Sequence, residues 1–328
     1  MTDLPATDPQ RIRWAAEQAE ALRAEIHHAL VGQEAVVDQV LAAFLAGGHV
    51  LLEGVPGLGK TLLVRAMAAT FRGAFARIQF TPDLMPSDVM GHAVWDMKSE
   101  TFHLRRGPVF TNLLLADEVN RSPAKTQAAL LEVMQERQVS LEGRSMAVEA
   151  PFMVLATQNP IEHEGTYPLP EAQLDRFLLK VLMGYPGAAE EVAMVRQVTS
   201  GTVGDALVLT EVRPILAGAD ILDLQALAAS VRVDDAVIDY AVRITRATRQ
   251  WPGIAIGAGP RGPIALVRAS RAHALLDGRD FTTPDDIKAL ALPALRHRLQ
   301  RSPETEIEGL GPDDLIRAIL AKVPAPRA

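Results

Sequence analysis

The sequence contains one stretch of high specificity, Gly54-Val55-Pro56-Gly57-Leu58-Gly59-Lys60-Thr61. It fits the pattern G-x-x-x-x-G-K-[ST], and it has an apolar strand-like segment before it and a helical periodicity after it. Phosphate oxygens need close, convergent donors, which glycines and the N–H groups of a helix N-terminus supply. The stretch therefore predicts a nucleotide-binding loop, in which Lys60 reaches the β- and γ-phosphates and the Thr61 hydroxyl binds Mg²⁺. We assign nucleotide binding to all eight residues and to Leu62, which follows them.

Short apolar segments alternate with helical stretches on both sides of this loop. The apolar segments are 49–52, 76–80, 112–116, 152–157 and 177–183, and helical periodicity covers 11–30, 34–45, 60–70 and 123–137. Apolar runs this short suit strands that are buried on both faces of a parallel sheet. The pattern predicts an α/β sandwich with a five-stranded parallel sheet, which we place in a domain at residues 1–200.

Two stretches interrupt this alternation, and the pattern changes after residue 205. The interruptions are about 86–107, amphipathic around 94–104, and about 139–148, which has hairpin character at Glu142-Gly143. Beyond them, helical periodicity covers 221–229, 234–250, 262–276, 284–299 and 312–322. Thr283 before Pro284 is a typical helix start. We therefore expect two insertions at one edge of the first domain, and a second, all-helical domain at 205–328.

Two further strands end in polar residues. Residues 113–116 are apolar and lead into Asp117 and Glu118. Because strand ends at one edge of an open α/β sheet line the ligand crevice, Asp117 is the expected acidic partner of Thr61 at the metal, and Glu118 the group that polarises an attacking water. Asn159 follows the strand at 152–157, and it could orient that water or bind the γ-phosphate. A plain Asn-Pro turn is the alternative for Asn159.

Composition and charge exclude several classes of protein. The 328 residues are 48% hydrophobic and 22% charged, which is ordinary for a globular protein. The chain has no cysteine, so disulfides and cysteine-based metal sites are excluded, and its eight histidines include no H-E-x-x-H pair, so we predict no zinc. A net charge of −7 gives no global case for nucleic-acid binding. We see no membrane span and no secretory signal, and we expect a cytoplasmic protein.

The order of the motifs resembles the MoxR family of AAA+ ATPases over nearly the whole chain. The resemblance rests on GVPGLGKT, LLLADEVNR, ATQNPIEHEGTYPLPEAQLDRF and the GPR at 259–261. It implies an αβα nucleotide domain, a helical lid and a ring, usually hexameric, in which ATP lies between subunits. It also implies that 86–107 is the insertion in helix 2 of this clade, and that 139–148 is the hairpin before the first sensor.

The resemblance also assigns roles to individual residues. It places Gly32 and Gln33 beside the adenine and makes Asn159 the first sensor. Arg176, in Leu-Asp-Arg-Phe, matches the arginine that such rings project into the neighbouring subunit's site. Arg261 matches the lid arginine that senses the γ-phosphate. Members often have Ser where this chain has Gly259, but the Pro-Arg pair that follows is intact.

The sequence thus predicts a Mg²⁺-dependent ATPase that forms a ring and remodels or matures a protein client. The resemblance implies a partner with a von Willebrand factor A domain for many members. Two alternatives stay open from the residues. One is a nucleic-acid motor, since the two insertions resemble elements that related helicases direct at DNA, although the acidic balance argues against it. The other is a nucleotide-gated scaffold with little turnover, against which the joint presence of Lys60, Asp117, Glu118 and Arg176 weighs.

Overall fold

The computed structural model describes residues 8–55, 57–158, 167–199 and 212–326. Its helices are α1 (Pro9–Ala29), α2 (Glu34–Leu45), α3 (Lys60–Thr70), α4 (Pro86–Met90), α5 (Ala124–Glu136), α6 (Glu171–Leu174), α7 (Ala188–Thr199), α8 (Gly218–Ser230), α9 (Asp235–Thr248), α10 (Arg261–Leu276), α11 (Pro284–Leu295), α12 (Pro303–Ile307) and α13 (Pro312–Lys322). Its strands are β1 (Val50–Glu53), β2 (Phe75–Gln79), β3 (Gly91–Asp96), β4 (Thr101–Arg106), β5 (Leu113–Asp117), β6 (Gln138–Leu141), β7 (Arg144–Ala147), β8 (Met153–Gln158), β9 (Leu179–Leu182), β10 (Ile254–Ile256) and β11 (Gln300–Arg301).

A five-stranded parallel sheet in the order β2-β5-β8-β1-β9 forms the centre of the first domain. Each strand lies within two residues of an apolar segment in the sequence, so the predicted sheet is confirmed. Because all five strands run the same way, the residues that follow β1, β5 and β8 meet at one edge of the sheet. The predicted nucleotide-binding loop and Asp117 lie at this carboxyl edge.

The sheet separates two apolar layers. Alternation along β5 sends Leu113 and Leu115 to one side and Leu114 to the other, and β1 and β8 alternate in the same way. The first side packs on α1, α2 and α3 and continues without a break into the lid helices, including α10 and α11. The second side packs on α5. Sheet and lid therefore share one hydrophobic core.

The lid contains helices α8 to α13 and one small antiparallel pair, β10 with β11. The sequence predicted helices throughout this part. The pair escaped notice because strands of three and two residues are too short to produce a periodic pattern. Helix α7 was also missed. The expected boundary between the domains falls within residues 200–211, outside the described residues, so the boundary stays a prediction.

Each interruption of the alternating pattern contains a β-hairpin. In 86–107 a short helix, α4, leads into the antiparallel pair β3–β4, and in 139–148 the strands are β6 and β7. Trp95 and Phe102 face each other across β3–β4 with ring centroids 4.9 Å apart, edge to face. Both rings are largely exposed, at 49% and 70%.

No helix in the described ranges is long and apolar enough to cross a membrane.

Candidate nucleotide site

The loop after β1 has the backbone form that a phosphate requires. Gly59 is the N-cap of α3 with φ +85° and Gly57 has φ +87°, a region that residues with a Cβ rarely adopt. Gly54 is packed against the residue that follows β9, since a Cβ at this position would lie 2.7 Å from the Met183 carbonyl oxygen. Pro56 lies outside the described residues. The N–H groups that open α3 therefore lie at the end of the glycine turn, where an anion can approach them.

Lys60, the first residue of α3, lies among three carboxylates. Its Nζ donates to the Gly54 carbonyl oxygen at 2.5 Å, closing the loop on itself. Burial lowers the pKa of Lys60, while the carboxylates of Asp117, Glu118 and Glu53 act to raise it. An ammonium group has three donors, so those not bonded to Gly54 are free to meet a phosphate.

Asp117 and Thr61 supply the oxygen ligands that Mg²⁺ prefers. Asp117 Oδ1 accepts a hydrogen bond from the Thr157 hydroxyl at 2.6 Å, and Oδ2 pairs with Arg77 at 2.6 Å. Thr61 follows Lys60 in the first turn of α3, and its hydroxyl makes no hydrogen bond within the described part of the chain. A carboxylate and a hydroxyl are hard ligands suited to Mg²⁺. The residues present therefore fit the metal that the sequence predicted.

Glu118 is held in a left-handed backbone conformation, with φ +56°. Its N–H donates to the Thr157 hydroxyl oxygen at 2.9 Å. Its Oε2 accepts from Gln79 at 2.7 Å and from Arg121 at 3.0 Å. A non-glycine residue in this region is uncommon, and the surrounding contacts must maintain it. Gln79 and Arg121 thus fix the direction of the Glu118 carboxylate, and Thr157 holds its backbone N–H.

Sequence reasoning missed Arg77, Gln79 and Thr157. Arg77 and Gln79 are two residues apart on β2, and β2 pairs with β5 so that Gln79 stands opposite Asp117. Side chains two residues apart share a face of a sheet, which explains why both reach the carboxylates. The alternation of polar residues in β2 is visible in the sequence. The pairing of β2 with β5 is visible only in the strand order of the sheet.

The residues expected beside the adenine lie next to the loop. The Leu30 side chain reaches to 2.9 Å from where a Cβ on Gly59 would be, and Gly32 and Gln33 follow Leu30 directly. Gln33 donates from Nε2 to the Gly184 carbonyl oxygen at 2.7 Å. Gly32 lies against the Glu190 carboxylate at the start of α7. Asn159, the expected first sensor, lies outside the described residues.

Arg176 and Arg261 are placed away from this loop and close to each other. Arg176 donates to the Leu131 carbonyl oxygen at 2.8 Å, and Arg261 Nε lies 3.8 Å from Asp175 Oδ2. Both line a cavity of about 350 Å³ that His49, just before β1, also lines. The loop follows the other end of β1, four residues or about 13 Å further on. The two arginines are therefore at the amino edge of the sheet, opposite the loop of their own chain.

Comparison with known proteins identifies the family of the chain. Residues 49–179 match the family described as ATPase family associated with various cellular activities (AAA), and residues 246–319 match the AAA lid domain. The chaperone MoxR1 of Mycobacterium tuberculosis is 43% identical, over 94% of this chain and 85% of that protein. The protein MoxR of Methylorubrum extorquens is 34% identical, over 99% of this chain and its own full length. The chain belongs to the MoxR family of AAA+ ATPases.

Two other proteins are similar to this MoxR-family chain over nearly its whole length. YeaC of Bacillus subtilis, a protein without an assigned function, is 47% identical over 92% of each chain. The crystal structure of a candidate ATPase from Cytophaga hutchinsonii superposes with a TM-score of 0.90 at 39% identity, covering 97% of this chain and 98% of that one. A likeness over both full lengths shows that sheet domain and lid are arranged alike in the two proteins.

Proposed function

We propose that the protein hydrolyses ATP to ADP and phosphate with Mg²⁺ as cofactor. The observation that carries this proposal is the meeting of two groups at the carboxyl edge of the sheet. The loop supplies Lys60 and Thr61, and the end of β5 supplies Asp117 and Glu118. The charges of Asp117 and Glu118 act on Lys60, which supports placing the cation and the acids in one site.

Each residue then has a task that its contacts support. The loop N–H groups and Lys60 bind the phosphates and orient them. Mg²⁺, held by Thr61 and Asp117, would neutralise negative charge on the phosphate oxygens. Glu118 accepts a proton from the attacking water as it approaches the γ-phosphate. Thr157 fixes Asp117 and Glu118 relative to each other, because its hydroxyl bonds to the Asp117 carboxylate and to the Glu118 N–H.

The arginines support hydrolysis between copies of the chain. Arg176 and Arg261 lie at the edge opposite their own loop, so they serve a nucleotide that a second copy presents. A guanidinium that reaches the transferring phosphoryl group in trans is worth about 10³–10⁵ in rate. We therefore propose a ring, with six subunits as the family resemblance implies. In this ring, arginines of the neighbouring subunit complete each nucleotide site.

For the biological role, we propose that nucleotide-driven movement of the lid remodels a protein client. Support comes from the relative in M. tuberculosis that is named a chaperone. A client or partner with a von Willebrand factor A domain is part of this proposal, because the family resemblance implies it. The continuous core between sheet and lid gives a physical route by which a change at the nucleotide reaches the lid.

Two substitutions test the ATPase proposal. Lys60→Ala is expected to weaken ATP binding, whereas Glu118→Gln is expected to bind ATP and lose about 10²-fold or more in turnover, since it keeps the shape of the side chain and loses the base. Glu132→Gln, an exposed acid on α5, is the matched control and should leave turnover unchanged. Turnover by Glu118→Gln at the wild-type rate would remove Glu118 from the mechanism.

A further inference from the structure

The cavity at the amino edge of the sheet has a large excess of positive charge. Five arginines and one aspartate line it, so four positive charges are uncompensated within it: Arg137, Arg176, Arg261, Arg268 and Arg298, with Asp175. His49 also lines it, but burial lowers the pKa of His49 to about 4, so the ring is neutral at pH 7. The volume of about 350 Å³ lies within the range of ligand pockets, about 300–1,000 Å³.

The aspartate is already committed to two of these arginines. Asp175 Oδ1 accepts from Arg298 Nε at 2.8 Å, and Arg298 is almost wholly buried, at 3% exposure, among backbone carbonyls. Asp175 Oδ2 lies 3.8 Å from Arg261. Within the described ranges, Arg137, Arg176 and Arg268 form no ion pair with any carboxylate. The excess charge therefore belongs to these three and to the partly paired Arg261.

Arg137 and Arg268 are held together at the end of α2. Arg137 donates to the Gly47 carbonyl oxygen at 3.1 Å, and Arg268 donates to the Ala46 carbonyl oxygen at 2.6 Å. Cations near a helix C-terminus are favourable, so these contacts hold both guanidinium groups in place. Each guanidinium has five N–H donors, and one or two carbonyl bonds leave most of them open toward the cavity. Burial, and after it the nearby charge of Arg137, lower the pKa of Arg268.

The lid aligns Arg268 with the arginine already proposed to act in trans. Arg261 and Arg268 are seven residues apart on α10, which puts them two turns apart on one face of the helix. Arg137 reaches the same cavity from the end of α5, and Arg176 from the turn before β9. Four cations from three parts of the chain thus converge on one opening.

We propose that Arg137 and Arg268 form, with Arg176 and Arg261, a binding surface for the phosphate chain of the nucleotide held by a second copy. The inference rests on the proposed hydrolysis between copies and adds two residues to it. Guanidinium groups bind phosphate oxygens in pairs of parallel hydrogen bonds, and several groups in one cavity suit a chain of phosphates better than a single carboxylate. Arg137 and Arg268 act here as binding residues for the part of the triphosphate that does not react.

The test uses inorganic tripolyphosphate as the probe and Lys60→Ala as the background, so that the chain's own loop contributes little. Arg137→Gln and Arg268→Gln, each made in this background, are expected to lower the affinity for tripolyphosphate about tenfold or more, because hydrogen bonds to charged groups are lost. Arg246→Gln, an exposed arginine on α9, is the matched control and should bind like the background chain. Calorimetric titration measures the affinities, and circular dichroism melting checks the fold.

A lower affinity in Arg137→Gln and in Arg268→Gln, with the fold intact, supports the proposal. Equal affinity in all the variants would overturn the proposal. Because Arg268 also caps α2, Arg268→Lys serves if Arg268→Gln melts early: it keeps a charge but loses paired bonding, and a drop in affinity supports the proposal while no drop overturns it. A loss of self-assembly in the variants with no change in tripolyphosphate binding would assign the cavity to acidic side chains of the second copy and also overturn it.

The failure of the proposed function has a different signature. If the wild-type chain hydrolyses no ATP while tripolyphosphate binding still depends on Arg137 and Arg268, the anion surface stands and the ATPase proposal fails. If ATP is hydrolysed and Glu118→Gln abolishes it, but tripolyphosphate affinity is insensitive to both arginines, the ATPase proposal stands and this inference fails.

Discussion

At the scale of single residues, Thr157 connects the two acids of the site. Its buried hydroxyl donates to Asp117 and accepts from the Glu118 N–H. Thr157→Val keeps the shape of the side chain and removes both bonds. We expect turnover to fall about tenfold or more and the free energy of unfolding to fall by about 1–3 kcal/mol, since a buried N–H loses its acceptor.

A matched control separates these two effects. Thr70 is equally buried, and its hydroxyl bonds to the Met67 carbonyl oxygen at 2.7 Å, far from the acids. Thr70→Val should cost comparable stability and leave turnover at the wild-type level. Equal turnover in Thr157→Val and Thr70→Val would show that Thr157 only stabilises the fold.

Arg77 occupies the Asp117 oxygen that faces away from Thr157. The pair is about half exposed on the arginine side, so it is weak and easily displaced. Arg77→Ala removes a cation beside the predicted metal position, and we expect the half-saturating Mg²⁺ concentration for ATP hydrolysis to fall by up to about fivefold. Arg105→Ala, an exposed arginine in the β3–β4 hairpin, is the control. A rise in the half-saturating concentration would mean that Arg77 helps to hold the metal.

His49 gives the fold a defined response to acid. Its Nε2 bonds to the Met134 carbonyl oxygen at 3.0 Å and its Nδ1 accepts from the Val154 N–H at 2.9 Å, so the neutral ring is fully bonded. Burial lowers its pKa from 6.5 to about 4, so between these values the unfolded chain binds a proton that the folded chain does not. The free energy of unfolding should therefore fall as pH falls, by about 3 kcal/mol from this residue.

Comparison with His49→Gln isolates this contribution. His297 changes stability with pH in the same direction and His273 in the opposite one, and both stay in the variant. Urea unfolding between pH 6.5 and 4 should show a steeper loss of stability in the wild type than in His49→Gln. Parallel curves would mean that His49 does not remain neutral in the folded chain.

At the scale of elements, the β3–β4 hairpin is closed at its base by a glycine. Gly91 has φ +99°, and a Cβ there would lie 2.2 Å from the Arg105 carbonyl oxygen. Gly91→Ala should lower the free energy of unfolding by about 3 kcal/mol or more, from strain and from the clash across the ladder. Gly143, in the β6–β7 turn, has φ +73° with nothing nearby, so Gly143→Ala should cost only about 1 kcal/mol. Equal costs in thermal unfolding would contradict this description of Gly91.

The elements that the sequence predicted well are those with long patterns or extreme composition. Helices α2, α3 and α13 follow clear apolar periodicity, and the five strands of the sheet are nearly continuous apolar runs. The β3–β4 segment was expected only as amphipathic, because exposed strands at a tip have no buried face to impose an alternation. Helix α7 was missed for the same reason, since none of its residues is buried.

The same division holds for the site. Lys60 with Thr61, and Asp117 with Glu118, are adjacent in the chain, so a local motif predicts each pair. Arg77, Gln79 and Thr157 reach Asp117 and Glu118 only through the pairing of β2 and β8 with β5. That pairing depends on the whole sheet, so no local sequence pattern predicts it.

At the scale of the whole molecule, the chain has two chemically complementary edges. The carboxyl edge carries the loop with Asp117 and Glu118, and the amino edge carries the cavity with its excess of arginine charge. One chain cannot bring these edges together, because the sheet separates them. Two copies can, when the amino edge of one faces the loop of the next. We therefore propose that hydrolysis requires two chains.

Complementation between two inactive chains tests whether hydrolysis requires a second chain. Lys60→Ala keeps the arginines but cannot hold the nucleotide, whereas Arg176→Ala keeps the loop and both acids but lacks the arginine expected to act in trans. Each alone should be inactive in a steady-state ATPase assay. We predict that mixing them restores hydrolysis, in proportion to the interfaces where an Arg176→Ala loop faces a Lys60→Ala arginine edge. Hydrolysis by Arg176→Ala alone at the wild-type rate, unchanged on dilution to the monomer, would mean that one chain suffices.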